Sequence, residues 1–413
     1  LKGGDPFLFG RGGEELELLT EEGIPYEVVP GVTSPLAVPA YNGIPVTHRD
    51  FTSSLHIITG HKKAGQPYDI NFRALVETKG TLVFLMGVTA LPDICENLLR
   101  AGMDPEMPAA ILQKGTTARQ KRIVATVATL PEEVKKQGVE TPAIIVVGKV
   151  CTLADKFAWY EHLPLFGYRV LVTRPRELVS TMAEKLRKQG AEVLELPAIR
   201  TERIRENQRM REALEHLERY TWIAFTSPAG VRVFMEDLVE NGTDLRKLAH
   251  VKIAAIGEGT KKALRERGLL ADLIPEVYDG ASLGEALAGV CGEKDRILLP
   301  RAKAGSQEIL EKLSGIRADD IPTYETYSET QDYVDEASLF RPGGVDCAVF
   351  TSASTVKGFV EATPGLDYSK VTAACIGRQT RAAAEAAGMK TAMAEKATID
   401  SVVDLVIKLK ESR

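Results

Sequence analysis

Trp222-Ile223-Ala224-Phe225-Thr226-Ser227 (WIAFTS) returns later in the chain as Cys347-Ala348-Val349-Phe350-Thr351-Ser352 (CAVFTS). Two more segments recur in the same order. Arg169–Arg174 (RVLVTR) returns as Arg296–Arg301 (RILLPR), and Ile253–Thr260 (IAAIGEGT) as Ala373–Thr380 (AACIGRQT). Three matches in one order at nearly equal offsets are an internal repeat. Each matched run is short and apolar, ends in Thr/Ser, Gly or Arg, and leads into an amphipathic helical pattern, so each reads as a strand followed by a helix. The repeat predicts two similar α/β lobes with parallel sheets. Open sheets of this kind bind ligands beyond the carboxyl ends of their strands. Both lobes therefore present small hydroxyls, glycines and an arginine where a ligand would sit.

The chemistry of those loops suits an anion. A Gly or Ser/Thr between strand and helix leaves free backbone N–H groups, and the helix dipole adds to them. Ile256-Gly257-Glu258-Gly259-Thr260 and Ile376-Gly377-Arg378-Gln379-Thr380 are two such turns, and Ser282-Leu283-Gly284-Glu285 reads as a capping box. An ordinary N-cap stands beside the ligand reading at each position. His216 and His250 lie in polar contexts and read as surface residues. No metal-ligand spacing, no full Gly-x-Gly-x-x-Gly after a strand and no Walker Lys-Ser/Thr occurs. A catalyst built this way works by holding a reactive substrate, without covalent or metal chemistry.

Working outward, 413 residues predict two to three domains. With 44% hydrophobic and 26% charged residues the chain is an ordinary globular one. A net charge of −5 argues against nucleic acid as a partner, and no apolar run is long enough to span a membrane. Cys95, Cys151, Cys291, Cys347 and Cys375 lie far apart with no CxxC pair, which suits unpaired thiols in the cytoplasm. Residues 1–167 alternate short apolar runs with helical patterns. Strands are expected at Tyr26–Val29, Leu55–Thr59, Thr81–Met86 and Ala143–Val147, and helices at Glu14–Glu22, Leu91–Ala101 and Pro131–Gln137. Phe157–Gly167 breaks the periodicity and reads as a connector, which puts a domain boundary near 167. The chain opens at Leu1 on a glycine-rich loop with almost no strand before it, and this end reads as a cut one.

The second part, 168–413, resembles uroporphyrinogen-III synthase. The resemblance rests on the order and spacing of VLVTRP, FTSPAGV, AAIGEGT, IPTYETY (Ile321–Tyr327), VFTSAST and AACIGRQT. It implies two lobes, one of about 168–200 plus 325–413 and the other about 205–320, hinged by the connectors Leu196–Ile204 and Ile321–Thr330. The implied reaction is cyclisation of hydroxymethylbilane to uroporphyrinogen III, with ring D inverted, water lost and no cofactor. Eight substrate carboxylates suit backbone N–H groups, hydroxyls and arginines, at roughly 1.5–3 kcal/mol per charge-assisted bond. Loss of the hydroxyl leaves a reactive azafulvene cation, so the protein's task is mainly orientation, helped by a proton donor near the departing group. The resemblance assigns that assistance to Tyr324 and a family Gly-x-x-Thr position to Thr380. Thr226, Ser227, Thr260, Ser282, Thr351 and Ser352 become cleft donors, and Arg174 and Arg301 carboxylate partners.

Residues 1–167 resemble the C-terminal portion of uroporphyrinogen-III C-methyltransferase, a tetrapyrrole methylase. The match is carried by LKGGDPFLFGRGGEE, VPGVTSPLAVPAYNGIPVTHRD, Thr59-Gly60-His61, LVFLMG and PAIIVVG. It implies S-adenosylmethionine as cofactor, bound at Gly3, Gly4, Asp5, Leu8, Thr33, Ser34, Met86 and Gly115, with homodimerisation through this region. A glycine turn brings backbone to the amino-acid end of the cofactor, Asp5 pairs with its ammonium, and Met86 offers a soft apolar wall. Core packing for Met86 and turn capping for Asp5 are the alternatives. The family's opening strand with its Gly-x-Gly-Pro-Gly-Asp loop is not in this sequence. The expectation is therefore a truncated α/β methylase domain with exposed apolar surface, poor cofactor affinity and negligible methyl transfer, followed by a complete two-lobed synthase. Two other readings stay open: both activities operate in a longer natural protein, or the second part binds tetrapyrrole as a sensor or scaffold.

Overall fold

The computed structural model describes residues 3–60, 69–173, 176–196, 198–328, 339–340 and 343–412. The chain forms two compact units, residues 1–168 with Arg187–Glu192, and Arg169–Leu186 with Val193–Arg413.

The first unit runs α1 (Gly12–Glu21), α2 (Ser34–Tyr41), β1 (Leu55–Thr59), α3 (Phe72–Glu77), β2 (Thr81–Leu85), α4 (Leu91–Arg100), β3 (Pro108–Gln113), β4 (Lys121–Thr126), α5 (Leu130–Gln137) and β5 (Ala143–Val147). Its sheet has the order β1-β2-β5-β3-β4. Only β1 and β2 pair in parallel; β5 runs antiparallel to β2 and β3, and β4 antiparallel to β3. Every residue of β2 is buried, because the sheet is covered on both faces. Leu82 and Phe84 point to one cluster with Ile94 and Leu98 of α4, while Val83 and Leu85 point to another with Ile44 and Val150. Helix α4 follows from Leu91, Ile94, Cys95 and Leu98, a stripe at helical spacing.

One expectation fails here. Tyr26–Val29 is coil, not strand; Tyr26 and Val29 are 50% and 72% exposed, and no sheet edge accepts them among the described residues. Phe157–Gly167 forms no helix or strand and runs to the end of the first unit's main segment at Tyr168, packed into that unit. Leu165 is fully buried, Trp159 donates to the Ala40 carbonyl at 3.0 Å, and Tyr160 lies 4.8 Å from Tyr41 and 5.5 Å from Phe166, ring to ring.

The second unit contains β6 (Arg169–Val172), α6 (Arg176–Lys188), β7 (Glu192–Glu195), β8 (Ile199–Arg203), α7 (Gln208–Glu215), β9 (Trp222–Phe225), α8 (Pro228–Glu240), β10 (Lys252–Ala255), α9 (Glu258–Arg265), α10 (Gly280–Ala288), β11 (Arg296–Ala302), α11 (Glu308–Lys312) and β12 (Arg317–Ser328). It continues with β13 (Cys347–Phe350), α12 (Ala353–Ala362), β14 (Thr372–Cys375), α13 (Arg378–Ala386), β15 (Lys390–Met393) and α14 (Ile399–Glu411). One sheet has the order β15-β14-β13-β6-β7, the other β10-β9-β11-β12-β8. The repeat reaches into the side-chain packing. Phe225 stacks on Phe234 at 5.4 Å between ring centres, and Phe350 on Phe359 at the same 5.4 Å. In the second sheet Ile223 and Phe225 face α8, while Trp222 and Ala224 face α10 and α11, so alternate residues of one strand feed two cores.

The long strand β12 does two jobs. Its first half pairs in parallel with β11; its second half, Tyr324–Ser328, pairs antiparallel with β8. Strand β8 is tied down by Arg203, whose Nε donates to Asp237 of α8 at 2.7 Å and whose guanidinium also reaches Glu240. Asp237 is 3% exposed. Burial pushes its carboxyl up to about 6, with Arg203 pulling the other way. That lies above the value of about 3.9 in an unfolded chain, so the native state holds the proton more tightly. The stability contributed is full below about pH 4 and is lost as pH rises through about 6. Between about pH 4 and 7 the natural chain should therefore lose urea-unfolding stability relative to Asp237→Asn; parallel pH profiles for the two would refute this.

Candidate functional site

The strands of the second sheet, β8 apart, share one direction. Their carboxyl ends therefore deliver Thr226 and Ser227 after β9, Gly257 after β10, Arg301 in β11 and Tyr324 in β12 to one rim. Ser227 is the N-cap of α8, with Pro228 at the first helical position and the serine Oγ accepting from the Gly230 N–H at 2.9 Å. The same Oγ lies 2.7 Å from the Tyr324 hydroxyl. Tyr324 is 6% exposed. Burial holds its phenol above the usual range, while the bond to Ser227 and the charges of Arg232 and Arg301 pull it back. The phenol therefore stays protonated at neutral pH, the state a proton donor needs.

Arg301 is 3% exposed and is already engaged. Its Nε and one terminal nitrogen grip both oxygens of Asp320 at 2.6 and 2.7 Å, and its other nitrogen donates to the Ser306 carbonyl. The fork is filled from inside the lobe, so the structure gives Arg301 an internal carboxylate in place of one from a ligand. Arg232 sits on α8 near Tyr324 and makes an i,i+4 ion pair with half-exposed Glu236. Arg232 escaped the sequence reading because a mid-helix arginine carries no strand-end signal.

Thr260 and Thr380 occupy equivalent places. Each is the third residue of its helix, behind N-caps Gly257 and Gly377, and each is buried, at 2% and 3% exposure. The two glycines differ. An added Cβ on Gly257 would lie 2.8 Å from the Tyr278 ring, whereas at Gly377 it would meet nothing. The α13 N-terminus is thus open, and that of α9 is covered by Tyr278. Ser352 caps α12 in a full capping box with Thr355 and also meets Ser354 Oγ at 2.8 Å, with half-buried Thr351 before it. Ser282 is a correction: the cap of α10 is Asp279, whose carboxylate accepts from the Ser282 N–H at 2.8 Å, so the capping box expected at Ser282 does not form. Arg174 lies outside the described residues.

In the first unit Asp5 organises the glycine loop. Its carboxylate accepts from the N–H groups of Phe7 (2.9 Å), Leu8 (3.2 Å) and Gly31 (3.1 Å). The Gly31 bond, ahead of the other two, holds the carboxyl below its usual range. Gly4 adopts a left-handed φ of 79° beside Thr33, the N-cap of α2, whose side chain makes no cap bond; Ser34 follows, exposed. Gly3 is open on its Cβ side. Met86 follows β2 with φ 55° and is 57% exposed, which excludes core packing for it. Gly115 is a packing glycine, since a Cβ there would come 2.3 Å from Val38 Cγ1 of α2. So Gly4, Asp5, Leu8 and Thr33 form one loop cluster, with Met86 and Gly115 on separate elements. At Gly31 a Cβ would fall 2.2 Å from the Gly4 carbonyl oxygen, a backbone atom that no rotamer moves. Gly31→Ala is expected to speed proteolytic cleavage within residues 3–36 about tenfold or more, an opening of over 1 kcal/mol. Unchanged cleavage would show that the loop does not depend on this contact.

Comparisons with known proteins match the chain to two families. The family model of uroporphyrinogen-III synthase HemD matches residues 180–404, and that of tetrapyrrole (corrin/porphyrin) methylases matches residues 1–131. A Ruminiclostridium josui protein described as porphyrin biosynthesis protein HemD is 45% identical over 413 residues, 99% of this chain and 82% of that protein. The uroporphyrinogen-III C-methyltransferase of Bacillus subtilis (strain 168) is 40% identical over 276 residues, covering 66% of this chain and 56% of the relative. The Thermus thermophilus uroporphyrin-III C-methyl transferase, solved with S-adenyl homocysteine, is 38% identical with a TM-score of 0.32, over 36% of this chain and 64% of that one.

Proposed function

The chain belongs to the uroporphyrinogen-III synthase HemD family, fused to a tetrapyrrole methylase region, and from that premise we propose that it cyclises hydroxymethylbilane to uroporphyrinogen III at the rim holding Tyr324. The observation that carries this reading is the buried phenol of Tyr324, bonded to an N-cap serine among helix N-termini. The substrate's carboxylates are held by free N–H groups at the α13 N-terminus, by Thr226, Thr351 and Ser352, and by Arg232. Tyr324 gives its proton to the departing hydroxyl, which leaves as water. The azafulvene cation is then attacked by the terminal ring in the folded geometry that the two lobes impose. The proton released when the last pyrrole regains aromaticity restores the phenol. One water leaves per ring closed, and no cofactor is required. Thr380, buried behind open Gly377, sets the backbone that faces the substrate from the other lobe.

The first unit takes S-adenosylmethionine at the loop of Gly3, Gly4, Asp5, Leu8, Thr33 and Ser34, with Met86 as an apolar wall and Gly115 supporting α2. A glycine loop whose carboxylate already gathers N–H donors suits the ammonium of such a ligand, and the exposed thioether of Met86 suits its apolar arm. The cofactor supplies an electrophilic methyl group. Affinity for the cofactor is poor and methyl transfer negligible in this chain; the synthase operates in the cytoplasm, in keeping with five unpaired cysteines, and the methylase region is the dimer contact.

The test feeds the purified chain fresh hydroxymethylbilane, oxidises the products and separates uroporphyrin I from III. Mostly type III supports the reading. Type I alone, the spontaneous product, rejects it, and tetrapyrrole binding without turnover would then identify a sensor or scaffold. A calorimetric titration with S-adenosylhomocysteine tests the first unit separately; no heat of binding rejects the cofactor assignment.

A further inference from the structure

The two lobes use the same serine differently. Ser227 and Ser352 are equivalent N-caps, and each accepts from the backbone N–H three residues on. In α12 the third position is Thr355, which closes a capping box back onto Ser352. In α8 the third position is Gly230, which has no side chain to return a bond. Its bare Cα has another consequence. A Cβ there would lie 2.9 Å from the Pro300 carbonyl oxygen of β11, 3.3 Å from Ser227 Oγ and 3.9 Å from the Tyr324 ring. Glycine thus lets the start of α8 settle onto β11 and brings the cap serine to the phenol.

The bonds around Ser227 Oγ have a direction. The Gly230 N–H can only donate, so it uses one lone pair of the serine oxygen. The Tyr324 oxygen, at 2.7 Å, is the acceptor within reach of the serine proton. If Ser227 donates there, both hydroxyls are satisfied and the phenol's own proton is free for the cleft. The opposite direction would tie up the phenol proton and leave the serine's without a protein acceptor among the described residues. On transfer of its proton, Tyr324 becomes an anion facing a serine O–H, the positive end of the α8 dipole and the charges of Arg232 and Arg301.

We propose that Ser227 is a positioning residue for Tyr324: as cap of α8 it donates to the phenol oxygen, aims the phenol proton at the substrate's leaving hydroxyl, and stabilises the tyrosinate formed. This rests on the proton-donor role given to Tyr324 above.

The experiment compares Ser227→Gly and Ser227→Thr with the natural chain in the isomer assay across pH. Glycine keeps most N-cap stability but has no hydroxyl, whereas threonine keeps both. Ser227→Gly is expected to lower kcat for type III roughly 10–100-fold, the worth of a hydrogen bond to a developing charge, with KM changed less than about threefold and the melting temperature nearly unchanged. Its kcat should also fall off at a different pH, and Ser227→Thr should restore both. In the Tyr324→Phe background the Ser227→Gly change should cost nothing further. A Ser227→Gly enzyme with natural kcat and pH profile, or additive losses in the double variant, overturns the proposal. If Tyr324→Phe itself keeps full activity, the donor role of Tyr324 falls, and this inference with it. If Tyr324→Phe is inactive and Ser227→Gly is not, only this inference falls.

Discussion

Tyr324→Phe is expected to cut type III formation roughly a hundredfold or more, with type I rising in its place. General-acid assistance of a departing group is worth about 10²–10⁴ in rate, and the proposed function assigns that assistance to this phenol. The change removes one oxygen and one hydrogen bond, to Ser227, while the ring keeps its packing against Gly230 and the β11–β12 ladder. Unfolding stability should move by only about 1 kcal/mol, so lost activity would not be lost fold. Initial rates of uroporphyrin III after oxidation, read beside a urea unfolding curve, check both halves. Type III formation within threefold of the natural rate would remove Tyr324 from the chemistry.

Arg301→Met is expected to destabilise the second unit by about 2–4 kcal/mol, because it strands the Asp320 carboxylate that the guanidinium grips with two bonds. The range allows for the solvent that still reaches Asp320, whose side chain is 29% exposed. Adding Asp320→Leu should recover most of the loss, because a neutral pair no longer needs the fork. The alternative role, direct contact with substrate carboxylates, predicts the reverse: normal unfolding, a raised KM, and no rescue by Asp320→Leu. Urea unfolding of the two variants beside substrate saturation curves separates the roles. The β11–β12 register shifts between Arg301 and Ala302, just where Tyr324 pairs.

Much of the local structure was legible in residue order. Leu55–Thr59 and Ala143–Val147 are strands over the residues expected, because apolar β-branched runs have few other uses. Strands β3 and β4 were not legible. Pro108-Ala109-Ala110-Ile111-Leu112-Gln113 opens on proline and small residues, and becomes a buried strand only between β4 and β5. Tyr26–Val29 shows the converse, a run of strand-like composition that stays coil without a neighbour. The cap of α10 was misread by three residues because Asp279 and Ser282 are both good capping types, and only the backbone path chooses between them.

By itself the sequence determined the α/β class, the duplicated strand-to-helix turns and the residue types at the strand ends. These depend on periodicity and on intrinsic backbone preferences, which act over a few residues. Tertiary structure alone decided that Ser227 meets Tyr324 97 positions away, that Arg301 turns inward to Asp320, and that Gly377 stays open while Tyr278 covers Gly257. Each of these is a choice of partner for a polar group. A hydroxyl or guanidinium accepts several partners of nearly equal strength, and which one it gets is set by the packing that brings distant strands to one rim.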